Sequence, residues 1–76
     1  MTAEVLRNGL ALCGLTSMEL WIRYFGLGGT YTPDELDEIL DGTRAIPEGQ
    51  YNVIAHALNE RFHEMDNDHP IPYDWQ

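Results

Sequence analysis

Thr32-Pro33-Asp34-Glu35 commits the residues after it to a helix more firmly than any other segment of the chain. Threonine supplies an N-cap oxygen, and proline presets the first helical φ while lacking an N–H that would go unpaired. Asp34 sits at the positive end of the helix dipole and Glu35 completes a capping box. Tyr31 before the cap and Leu36 after it form a hydrophobic staple. Leu36, Ile39 and Leu40 then make a narrow apolar stripe that Gly42 ends, which predicts a helix over about residues 33–41. The same grammar occurs earlier in Thr16-Ser17-Met18-Glu19, with Leu15 and Leu20 as the staple. Trp21, Tyr24 and Phe25 continue an apolar face up to Gly26-Leu27-Gly28-Gly29, so a second helix is expected over roughly residues 17–25, with all three aromatics in the core. The glycines are expected to supply positive-φ turns.

Two further helices flank this pair. Thr2 as N-cap, then Val5, Leu6, Leu10 and Cys13 at helical spacing, then Gly14, define the first. Tyr51, Ile54, Ala55, Leu58 and Phe62 recur at three- and four-residue steps behind Pro47, a proline suited to a first helical turn, and predict the longest helix over about residues 48–65. Val53, Ala57 and Met65 widen its stripe, and any surplus over what one core covers would form a homodimer seam on this helix. Residues 66–76 carry two prolines and no period, which reads as an extended tail attached to a domain of residues 1–65. Tyr73 and Trp75 in that tail either fold back or anchor a partner. The fold class expected is all-α, four compact helices.

Composition narrows the function. The chain has 76 residues and a formal net charge of −9, from 13 Asp and Glu against four cations, all of them arginine: Arg7, Arg23, Arg44 and Arg61. One cysteine, Cys13, excludes an intrachain disulfide and a four-cysteine zinc module. No apolar run reaches the roughly 18 residues of a membrane span, and no secretory signal pattern is visible, so a cytoplasmic setting is expected.

Gly14-Leu15-Thr16 followed by Glu19-Leu20, then Leu36 through Ile39 to Gly42, then Gly42-Thr43-Arg44-Ala45-Ile46-Pro47 before the last helix, resemble the lambda-repressor-like (Xre/Cro-type) helix-turn-helix domains of small bacterial and bacteriophage proteins. The likeness covers roughly residues 3–64. It implies DNA binding through the helix at residues 33–41, laid in the major groove, while the preceding helix crosses the backbone. The chain departs from the pattern in three places. Trp21 stands where the family usually has alanine, Ile39 where it has tryptophan, and the turn from Gly26 to Thr32 is about three residues longer than the usual 3–4.

The charge of that third helix redirects the reading. Asp34, Glu35, Asp37, Glu38 and Asp41 occupy the positions where DNA readers carry Arg, Lys, Asn, Gln, Ser or Thr. Nonspecific DNA affinity usually rests on about 6–10 phosphate contacts from cations, more than this chain owns. Three readings stand side by side: a solvated acidic face, a face that binds a basic surface on a partner protein, and a DNA-binding regulator. In the last, Thr30, Tyr31, Thr32, Arg44 and Gln50 would supply the contacts. The binding-protein reading leads. His56, Glu60 and His63, at steps of four and three, share one helix face near Asp66, Asp68 and His69, a weaker hint of a zinc or nickel site. The plainer expectation is His56 partly packed and His63 exposed, with no cofactor. No nucleophile-base arrangement stands out, and the glycine run lacks a preceding strand or a following lysine, so no enzyme is expected.

Overall fold

The computed structural model describes residues 2–47, 49–67 and 70–73, and among them the chain forms four helices and no strand: α1 Ala3–Cys13, α2 Ser17–Gly26, α3 Pro33–Asp41 and α4 Gln50–Glu64. Glu48 of the expected fourth helix, Asp68 and His69 near the histidine pair, and Trp75 of the tail lie outside the described residues. No described helix is long and apolar enough to cross a membrane.

The start signals act as their chemistry requires. Thr2 accepts from the Val5 N–H, and both Thr16 and Thr32 stand in complete capping boxes with Glu19 and Glu35. Gly14 and Gly42 close α1 and α3 at φ 75° and 84°, the left-handed region where a side chain is strained. Beyond Gly42 the Thr43 N–H donates back to the Glu38 carbonyl at 3.0 Å, satisfying an orphan acceptor at the helix end. Helix α4 begins at Gln50, later than the sequence suggested. Gly49 at φ 87° cannot be helical, which leaves Pro47 ahead of the helix and not in its first turn.

Helices α1 and α2 each pack on both α3 and α4, so the chain makes two layers of two helices. The core between them consists of Leu6 and Cys13, Leu20 and Tyr24, Leu36, Ile39 and Leu40, and Tyr51, Ile54, Ala55, Ala57, Leu58 and Phe62. Ile71, from the segment after α4, joins them at 5% exposure. The described part of the tail therefore folds back on the domain. Asn59, fully buried on α4, donates from Nδ2 to the Ile71 carbonyl at 2.9 Å and accepts from the Ile71 N–H at 3.1 Å. Tyr51 donates its hydroxyl to the Pro72 carbonyl. Gly9 makes the room: a Cβ there would come within 2.6 Å of Ile71 Cδ1.

Further expectations need correction here. Of the aromatics assigned to the core, Tyr24 is buried, Trp21 is half-buried and Phe25 is 59% exposed. At about 100° per residue, Leu20 and Tyr24 set the inward direction, so Trp21 and Phe25 fall to its flank, where they stack on each other at 5.1 Å. The proposed seam on α4 lacks a surplus, because Ala57 is fully buried and Val53 packs against the core, leaving only Met65 exposed beyond the helix end. Finally, of the three glycines after Phe25 only Gly28 has positive φ. Gly29 serves a close approach instead, since a Cβ there would overlap the ring of Tyr24.

Candidate partner-binding face

Helix α3 buries Leu36, Ile39 and Leu40 and presents Asp34, Asp37, Glu38 and Asp41 to solvent, with Glu35 half-buried at the edge. By helical geometry the four exposed acids fall within an arc of about 100°. The five carboxylates have different employment. Glu35 Oε1 accepts the Thr32 N–H at 2.9 Å, and that backbone bond, the largest influence on it, holds the carboxyl below the ordinary glutamate range. Glu38 takes Arg44, with Nε and Nη2 at 2.9 and 2.8 Å from Oε1. The hydrogen bond to Glu38 is the chief reason the Arg44 guanidinium is held still more firmly protonated. Asp34, Asp37 and Asp41 take part in none of the ion pairs formed among the described residues.

Each of the four arginines makes a bond within the chain. Arg7 reaches from α1 to the Leu40 carbonyl at 2.7 Å, and Arg61 from α4 to the Cys13 carbonyl at 3.2 Å. Each thereby caps the C-terminus of a helix that has no basic residue in its own last turn. Arg23 grips Glu64 with two bonds at 2.8 and 2.9 Å and lies 3.4 Å from Glu60, tying α2 to α4. Arg44 is held by Glu38, lies 3.9 Å from Glu35 and sits over the Tyr31 ring at 5.8 Å.

The residues named for DNA contact are similarly occupied. Tyr24 Oη is a hub that accepts the N–H groups of Thr30 and Tyr31 at 3.1 and 3.0 Å and donates to Gln50 Oε1. The Tyr31 carbonyl accepts from Trp21 Nε1 at 2.8 Å, and the Thr32 hydroxyl caps α3. Thr30 has an exposed side chain, but Thr32, Gln50 and Arg44 hold their polar groups against the domain.

One feature of this region escaped the sequence reading. Met18, Ile22 and Phe25, at steps of four and three along α2, are 51%, 60% and 59% exposed, a row of large apolar side chains facing water. A clue existed: in Ser17–Gly26 the apolar residues Met18, Leu20, Trp21, Ile22, Tyr24 and Phe25 are too many for a single buried stripe.

His56 and His63 lie elsewhere. His56, Asn59, Glu60, His63 and Tyr73 line a cavity of about 220 Å³ between α4 and the returning tail. His56 is exposed, not partly packed, and meets the edge of the Tyr73 ring at 6.4 Å. His63 is exposed, and Glu60 faces Arg23. Among the described residues no three His, Cys, Asp or Glu side chains gather as a metal ion requires. Comparison with family models, with curated proteins and with solved structures gives no significant match.

Proposed function

We propose that this domain is a non-enzymatic binding protein of the cytoplasm that uses the acidic face of α3, with Asp34, Glu35, Asp37, Glu38 and Asp41, to engage a basic surface on a partner protein. The observation that carries the reading is the distribution of charge: all four arginines are committed to internal carbonyls or carboxylates, whereas Asp34, Asp37 and Asp41 are not committed to any ion pair among the described residues. A surface so arranged attracts Lys and Arg over a Debye length of about 8 Å and repels phosphate.

The competing reading is a helix-turn-helix regulator of the lambda-repressor-like kind, supported by the capped α3 following α2 in the expected order. It asks a face of acids to lie against phosphates, with Arg44 already occupied by Glu38.

Fluorescence anisotropy separates the two. At about 50 mM salt the protein should bind a labelled oligolysine peptide and leave random duplex DNA unbound. Replacing Asp37→Lys with Asp41→Lys should abolish peptide binding. Tight DNA binding together with indifference to these substitutions overturns the proposal.

A further inference from the structure

The acidic face of α3 and the apolar row of α2 lie on two helices that pack against each other. Phe25 stacks on Trp21, Trp21 donates to the Tyr31 carbonyl, Arg44 covers the Tyr31 ring, and Arg44 is held by Glu38. A path of contacts therefore runs from Phe25, at one end of the apolar row, through Trp21, Tyr31 and Arg44 to Glu38 at the edge of the acidic face.

We propose that the row and the acidic face together receive a basic amphipathic helix of a partner protein. The partner's apolar row would seat on Met18, Ile22 and Phe25, and its Lys and Arg row would face Asp34, Asp37, Glu38 and Asp41. The proposal rests on the acidic-face reading above and adds the partner's shape and its apolar side. A helix is the fitting element because the row repeats at i, i+4 and i+7, about two turns of the spacing that helix ridges and grooves share. The charge of the border selects the occupant. A second copy of the chain brings the same acids and a net charge of −9, so like charge opposes it at this border. Its matching row is also small, on the order of 300 Å² against the roughly 800 Å² per partner of a stable interface. A basic helix supplies charge to one border and apolar surface to the other, and each adds area that the other lacks.

The test uses the full chain and two labelled 18-residue peptides of identical Leu and Lys composition, one patterned as an amphipathic helix and one scrambled to lack an apolar face. The patterned peptide should bind at least tenfold more tightly. Met18→Ser with Ile22→Ser should remove that advantage and leave affinity for the scrambled peptide unchanged, whereas Asp37→Asn with Asp41→Asn should weaken both. Circular dichroism checks that the variants fold, and Ile22→Glu alone provides a second, independent disruption of the row. Equal affinity of the wild-type chain for the two peptides overturns this inference and leaves the acidic-face reading standing. Failure of both peptides to bind overturns the acidic-face reading, and this inference falls with it. A dimer in sedimentation that Ile22→Glu dissolves assigns the row to a second copy and overturns the inference by itself.

Discussion

Helices α2 and α3 start in the same way and end as opposites. Each opens with a threonine N-cap and a glutamate three residues on, each box is complete, and each turns a leucine inward within its first two turns. Their outer faces then diverge: α2 shows water Met18, Ile22 and Phe25, and α3 shows it Asp34, Asp37, Glu38 and Asp41. The comparison separates two layers of information. Caps and the inward stripe decide where a helix lies, and both helices are held by that layer. The outward residues contribute little to holding the helix and are therefore available for recognition.

The joint between the two helices is where the comparison breaks most easily. Gly29→Ala drives a methyl group into the ring of Tyr24, which is fully buried and pinned by three hydrogen bonds and so cannot swing aside. A loss of about 2–3 kcal/mol is expected from such overpacking, read as a lower urea midpoint. An unchanged midpoint would show that the Tyr24 hub does not fix α2 against α3. The caps come next. Thr16→Ala and Thr32→Ala should each cost about 1 kcal/mol in the same measurement, and a clear inequality would mean that the two starts are not equivalent.

Acid titration sharpens the likeness further. Glu19 and Glu35 are both held below the ordinary glutamate value of 4.5, each chiefly by the backbone N–H of its capping threonine. Because the folded values lie below the unfolded ones, this stabilisation is complete above the ordinary value and is lost as pH falls through the folded values. Thermal midpoints should therefore drop with acidification below about pH 4.5, and Glu19→Gln and Glu35→Gln should each flatten the slope while keeping the box closed. The smallest effects belong to the outer faces. Ile22→Ser and Asp37→Asn should each change stability by less than about 0.5 kcal/mol, so a loss above about 1 kcal/mol would show that the face is not an open one.

Much of this was legible in the residues. A cap, a staple and a closing glycine act within a few positions of each other, so Thr16, Thr32, Gly14 and Gly42 could be read without knowing what lies opposite them. The acidic face of α3 was legible for a related reason: its apolar stripe is narrow, and the residues around it are acids that burial would penalise heavily. Phe25 was misassigned because hydrophobicity alone does not say which of two apolar flanks of a crowded helix meets the core. Asn59 and Gly9 carried no readable role, since one partners the backbone of Ile71 and the other makes space for its side chain across the fold.

The sequence by itself determined four helices, three of their starts, two glycine stops and the sign of the outer face of α3, because these depend on neighbours three or four residues away. Tertiary structure alone decided that Ile71 returns to the core, that Arg7 and Arg61 cap helices formed by other segments, and that α2 turns a second apolar row to water. Those outcomes depend on which surfaces meet when separate helices pack, a relation between distant segments that no local pattern encodes.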